Sequence, residues 1–169
     1  MGHSKGAYAF LHPLEHVNMS QSTNDVYPTA VKIGAQFGIK RLIAAMAELR
    51  GSFAAKAIEF ADIVKMGRTQ LQDAVPMTLG QEFASFAETL VGEVRALEVI
   101  QRVFCEINMG GTAIGTGLNA PAGYAQKCAD HLAQITGFPI RLAPDLIERD
   151  PCVSCLHHFP VALHLFLFV

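Results

Sequence analysis

The chain has 169 residues, 51% of them hydrophobic, with 13 basic and 15 acidic side chains and a formal net charge of -2. That length fits about one domain with an apolar core; the composition excludes global disorder, and the lack of a basic excess removes the electrostatic footprint of a nucleic-acid binder. No apolar run reaches the roughly 18 residues of a membrane-spanning helix, and the polar start Met1-Gly2-His3-Ser4-Lys5 has no signal-peptide core, so no membrane association and a cytoplasmic setting are expected.

Residues 1–19 read as a loop with turn signals, among them two glycines and His12-Pro13. Ser20-Gln21-Ser22-Thr23-Asn24-Asp25 follows as a cluster of helix N-cap candidates. Pro28 falls within the first turn after it, where a helix tolerates proline. Val31, Ala35, Leu42, Met46, Leu49 and Phe53 then recur at spacings of mostly four or seven, which predicts a helix to about Phe60 that bends or divides at Gly51-Ser52. The period is lost over residues 61–77, where Gly67, Arg68-Thr69-Gln70 and Pro76 predict an ordered loop. A second helix is predicted from about Thr78 to Asn108, because Leu79, Phe83, Phe86, Leu90, Val94, Leu97, Ile100, Phe104 and Ile107 form one stripe with steps of three or four. At 1.5 Å per residue that helix is roughly 40 Å long. One short neighbour cannot cover it, so helical partners from this chain or others are expected. Gly110-Gly111 stops it, Pro121 opens a third helix to about Thr136, and Gly137-Phe138-Pro139 ends that one. No segment shows the period-two alternation of a strand. The predicted class is all-α.

The charged residues all lie between Lys5 and Asp150. Residues 1–150 therefore read as the folded part, and residues 151–169 as an atypical charge-free tail ending in Leu163-His164-Leu165-Phe166-Leu167-Phe168-Val169. Cys152, Cys155, His157 and His158 resemble a metal tract, but zinc fingers separate their ligand pairs by a dozen or so residues. His3, His12, His16 and His131 have no ligand spacing either, so no metal site is expected.

Three polar or glycine-rich segments remain. Residues 20–24 combine hydroxyls and an amide with the N–H groups at a helix start, which suits an anion such as a carboxylate; simple capping uses the same residue types. Gly67-Arg68-Thr69-Gln70-Leu71-Gln72-Asp73 is donor-rich, as a substrate-facing loop or an ordinary surface loop would be. Gly110-Gly111-Thr112-Ala113-Ile114-Gly115-Thr116-Gly117 is superficially like a phosphate cradle, yet no strand precedes it and the Walker Gly-Lys-Ser/Thr ending is absent.

Together these segments resemble the shared blocks of the aspartase/fumarase superfamily. His16-Val17-Asn18-Met19-Ser20-Gln21-Ser22-Thr23-Asn24-Asp25 is similar to the first block. The stretch from Gly67-Arg68-Thr69-Gln70 to Gly80-Gln81-Glu82-Phe83 is similar to the second, and the glycine-rich stretch from Gly110 to Asn119 to the one that follows. The resemblance spans about residues 1–148. Thr23 stands where fumarases usually have a second Ser, Gln70 where they usually have His, and Leu14 where they commonly have Asn after His-Pro, so the aspartate ammonia-lyase branch is the nearer one. The resemblance implies a long-helix bundle in a homotetramer and reversible elimination of ammonia from L-aspartate to give fumarate, with no cofactor. It implies that Ser22, Thr23 and Asn24 bind substrate carboxylate and amino groups, that Thr69 and Gln70 reach the substrate of a different subunit, and that the glycine-rich segment shapes a wall of the site. The family's base, a Ser in a Gly-Ser-Ser-x-Met-Pro-x-Lys-x-Asn loop, has no counterpart in these residues, so no catalytic residue is assigned. A truncated or mispredicted chain, inactive alone and with a tail from a shifted frame or unspliced sequence, is expected. The alternatives are a class II fumarase-like fragment and a non-catalytic helical subunit that assembles with an intact lyase.

Overall fold

The computed structural model describes residues 2–148. A π-helical turn over Pro13–Val17 precedes α1 (Thr23–Glu59). Strands β1 (Val64–Thr69) and β2 (Gln72–Thr78), helix α2 (Leu79–Phe104), strand β3 (Glu106–Ile107), helix α3 (Tyr124–Thr136) and strand β4 (Arg141–Leu142) follow. Helices dominate, as the all-α class requires. The expectations for residues 151–169, including the cysteine and histidine tract, lie outside the described residues. The chain divides into one unit of Met1–Gly34 with Val103–Val169 and a second of Ala35–Arg102.

Within Ala35–Arg102, the later part of α1 lies antiparallel to α2. Phe83 stacks edge-on against Phe53, Phe60 and Phe86 with ring centroids 6.0, 5.3 and 5.8 Å away, contacts worth about 0.5–1.5 kcal/mol each beyond their buried area. Ile39, Met46, Ala87 and Leu97 complete the buried face. Helix α1 runs unbroken through Gly51-Ser52, so the segment is not divided there. Its backbone ladder stays intact, and the Ser52 hydroxyl donates to the Glu48 carbonyl at 3.1 Å, a local bond that a helix absorbs. At the crossover the helices approach so closely that a Cβ on Gly80 would stand 2.5 Å from the Ala57 carbonyl oxygen and 2.8 Å from Ala61 Cα.

Residues 61–77, expected as a loop, contain an antiparallel hairpin. Val64 faces Thr78, Lys65 faces Met77, and Thr69 faces Gln72, with an irregularity between Met66 and Arg68 at Gly67. The alternation signal is missing because β1 and β2 are almost wholly exposed, with Gly67 the one buried position. The turn dipeptide is also uncharacteristic: Gln70 and Leu71 both have positive φ, 49° and 65°, a conformation for which two-residue hairpins normally use Asn or Gly. Thr78 then caps α2 reciprocally. Its hydroxyl accepts the Gln81 N–H at 3.1 Å while Gln81 Oε1 accepts the Thr78 N–H at 2.9 Å.

In the other unit, α2 stops at Phe104 rather than near Asn108. The carbonyls of Cys105 and Ile107 turn aside to accept the N–H groups of Arg141 and Ala143, each at 2.9 Å, in the short parallel β3–β4 pair. Ile107 still buries completely, now as a strand residue, and with Met109, Ala129 and Ile140 it forms the core. Helix α3 starts after Gly123 and ends at Gly137, whose φ of 71° and N–H to the Ala133 carbonyl close it. On the first turns of α1 the buried residues are Asp25, Thr29 and Lys32, while the apolar Val31 is exposed.

Two glycines of α2 should respond oppositely to alanine. Gly80→Ala must displace backbone atoms and should lower unfolding stability by about 1–3 kcal/mol. Gly92→Ala has open space around it and should raise stability by about 0.5–1 kcal/mol through helix propensity. Denaturant titration of the two variants checks both; equal effects would contradict the close approach at Gly80.

Candidate functional site

Ser22 stands immediately before α1. Its hydroxyl oxygen accepts the Asn24 N–H at 3.2 Å, and its own N–H donates to Asp25 Oδ1, three residues on, at 2.9 Å, so both bonds close the first turn of the helix. Ser22 is half-buried, and Thr23 and Asn24 are exposed. Two hydroxyls and an amide therefore stand at the positive end of a 37-residue helix, where the helix dipole favours an anion.

The glycine-rich segment is joined to this turn by side chains from both sides. Asn24 Nδ2 donates to the Ala113 carbonyl at 2.6 Å, and Asn108 Nδ2 donates to the Asn24 carbonyl at 3.0 Å. The second bond has a cause in α1 itself. A helix would close the Asn24 carbonyl with the N–H of residue 28, but Pro28 has none. Asn108, fully buried, supplies the missing donor. Asp25 Oδ2 accepts the N–H groups of Gly110 and Thr112 at 3.2 and 3.1 Å. Further along α1, Lys32 is also buried, with its Nζ donating to the Glu106 carbonyl at 2.7 Å. Thr29 Oγ1 and Asn108 Oδ1 are enclosed without a partner.

Tyr124, the first residue of α3, closes the region. Its phenol is pushed up from 10.0 to about 12, first by burial and then by the Cys128 thiol one turn along, with the Gln21 side chain pulling the other way and the Asp25 charge adding a small upward push.

Of the residues singled out in the sequence, Ser22, Thr23 and Asn24 are thus brought together with the glycine-rich segment in one unit. Thr69 and Gln70 are in the other unit, exposed at the hairpin end, where Leu71 is 98% exposed and the left-handed Gln70 holds the sparsely populated backbone often found at functional sites. Sequence reasoning gave no role to Asn108 and Tyr124, and treated Asp25 only as one of several capping candidates. For Asp25 the signal was its position three residues after Ser22; for Asn108 it was a helix proline that needs a replacement donor. Among the described residues, no group of three His, Cys, Asp or Glu side chains could hold a metal ion, and no helix is long and apolar enough to cross a membrane.

The sequence model of a family described as lyase matches residues 2–166. The chain is 54% identical to the aspartate ammonia-lyase of Pseudomonas aeruginosa over 149 residues, 88% of this chain and 31% of that one. Among solved structures, a fumarate lyase:delta crystallin from Brucella melitensis bound to cobalt superposes with a TM-score of 0.90 at 45% identity, covering 96% of this chain and 35% of that one. A class II fumarase from Schistosoma mansoni superposes at 0.82 with 28% identity, covering 92% and 36%. The chain belongs to the lyase family, in the aspartase/fumarase superfamily, and spans about a third of the length of the relatives it matches.

Two outcomes follow from the site geometry. Asn108→Ala should lower stability by about 1–3 kcal/mol by leaving the Asn24 carbonyl unpaired. In a Pro28→Ala background the new N–H can close on that carbonyl, so the same change should cost about 1 kcal/mol less; a coupling energy of zero in this double-mutant cycle would contradict the substitution of donors. For Tyr124, the raised pKa means that the stability held by the neutral phenol is complete below pH 10.0 and lost as pH rises through about 12. Alkaline titration followed by tyrosinate absorbance should show a step near 12 that disappears in Tyr124→Phe. Its persistence would place that titration elsewhere.

Proposed function

We propose that the chain is the carboxylate-binding segment of an aspartate ammonia-lyase, which eliminates ammonia reversibly from L-aspartate to give fumarate. The observation that carries this reading is the donor set of half-buried Ser22 and exposed Thr23 and Asn24 at the start of α1, held against the glycine-rich segment. In such an elimination a base removes the Cβ proton and the neighbouring carboxylate takes up the charge as an aci-carboxylate. Donors fixed in advance bind that dianion more tightly than the ground state, which is what accelerates the step. Ser22, Thr23 and Asn24 would hold substrate carboxylate and amino groups, and the proposed chemistry uses neither metal nor organic cofactor. Thr69 and Gln70, on a protruding hairpin, would reach the substrate of a different subunit in a cytoplasmic homotetramer. Exposed Phe37, Leu42, Leu49 and Ile58 along α1 support packing between subunits.

Aspartate is preferred to malate because Thr23 and Gln70 depart from the fumarase pattern and because the identity is 54% to the Pseudomonas aeruginosa aspartate ammonia-lyase but 28% to the Schistosoma mansoni class II fumarase. No turnover is expected from the chain alone, since its sequence contains no Gly-Ser-Ser-x-Met-Pro loop to supply the base.

Calorimetry on the purified chain tests the reading. L-Aspartate and fumarate should bind, L-aspartate ahead of L-malate, and Ser22→Ala or Asn24→Ala should each weaken binding about tenfold, the equivalent of one hydrogen bond to a charged group. Malate ahead of aspartate would favour the class II fumarase reading. Binding of none of them would overturn the carboxylate site, and rapid fumarate production by the chain alone would contradict the assignment of the base to a segment it lacks.

A further inference from the structure

We propose that Asp25 is a positioning residue that locks the glycine-rich segment onto the first turn of α1, so that the donors at the helix start and the wall beside them form one rigid surface. The inference deepens the carboxylate-binding reading and rests on it for its functional consequence. Asp25 is wholly buried, and its carboxylate uses its two oxygens for different tasks. Oδ1 accepts the Ser22 N–H and completes the helix cap. That bond alone satisfies everything the cap requires of residue 25. Oδ2 has no task in the helix; it accepts the N–H groups of Gly110 and Thr112, 85 and 87 positions away in the chain.

The segment it holds needs such a partner. Gly110 has a φ of 86° and Thr112, a β-branched residue, a φ of 60°. Left to itself a glycine-rich stretch populates many conformations, and a left-handed threonine persists only where its surroundings over-determine it. Hydrogen bonds to an ionised carboxylate are roughly twice as strong as neutral ones, and here they are sheltered from water. The same clamp sets the distance over which Asn24 Nδ2 reaches the Ala113 carbonyl, the next residue along the segment. Asp25 thereby fixes the orientation of a side chain assigned to substrate without touching substrate itself. Asparagine in its place keeps the shape but turns one oxygen into an N–H donor, which must face at least one of the three N–H groups now bonded there.

Amide hydrogen exchange on the full chain, with succinate as the dicarboxylate probe, tests this. In the wild type the Ser22, Gly110 and Thr112 amides should be protected although they lie outside any helix ladder. In Asp25→Asn all three should exchange at least tenfold faster, while amides in the middle of α3, such as that of His131, keep their wild-type rates. Succinate affinity should fall about tenfold in that variant, yet stay unchanged in Ile140→Val, which loosens the core of the same unit without touching the clamp. Wild-type Gly110 and Thr112 amides exchanging at open-loop rates would overturn the proposal even if the variant failed to fold. So would an Asp25→Asn chain with wild-type exchange, or one whose succinate affinity is unchanged. If the wild type binds no succinate while the exchange result holds, the clamp stands and the carboxylate-binding reading is what fails.

Discussion

Proline at position 28 deprives α1 of the N–H that would close on the Asn24 carbonyl, and the unit of Met1–Gly34 and Val103–Val169 is organised around repairing that loss. Asn108 donates to the orphaned carbonyl from outside the helix, which requires the chain beyond α2 to be led back to the start of α1. That return explains why α2 ends three residues before its apolar stripe does, and why Ile107 is buried from a strand. Once Asn108 is in place, the next residues fall within reach of Asp25 and Asn24, and the glycine-rich segment is tied down at Gly110, Thr112 and Ala113.

This arrangement inverts the usual division of a helix into a buried apolar face and an exposed polar one. Over its first turns α1 buries Asp25, Thr29 and Lys32 and exposes Tyr27 and Val31. Buried polar groups are tolerated only when satisfied. Two of the three are spent on backbone groups of the returning chain, N–H groups of the glycine-rich segment for Asp25 and the Glu106 carbonyl for Lys32, while Thr29 Oγ1 is enclosed without a partner. The polar face of the helix is thus what positions the segment beside Ser22, Thr23 and Asn24.

The legibility of the sequence follows the same line. The long helices are readable because three- and four-residue spacing persists over many turns, and α2 begins at Leu79, next to the expected Thr78. The hairpin was not, since strands with one buried position between them carry no alternation and Gln70-Leu71 is not a dipeptide that announces a tight turn. In the site, Ser22, Thr23 and Asn24 stood out as residue types and as part of a family block. Asp25 lies in the same block and capping cluster, but its hold on the glycine-rich segment, like the role of Asn108, depends on contacts across more than eighty residues, which no local spacing reveals. Thr69 and Gln70 are identified by resemblance alone, and they are exposed at the hairpin end.

On the proposed function the start of α1 holds one carboxylate of a four-carbon dicarboxylic acid. Mapping amide chemical shifts of the isotopically labelled chain during a succinate titration tests it most directly. Saturable shifts are expected at Ser22, Thr23 and Asn24 and along the glycine-rich segment from Gly110 to Gly117. Saturable shifts elsewhere in the chain, with those residues unmoved, would contradict it.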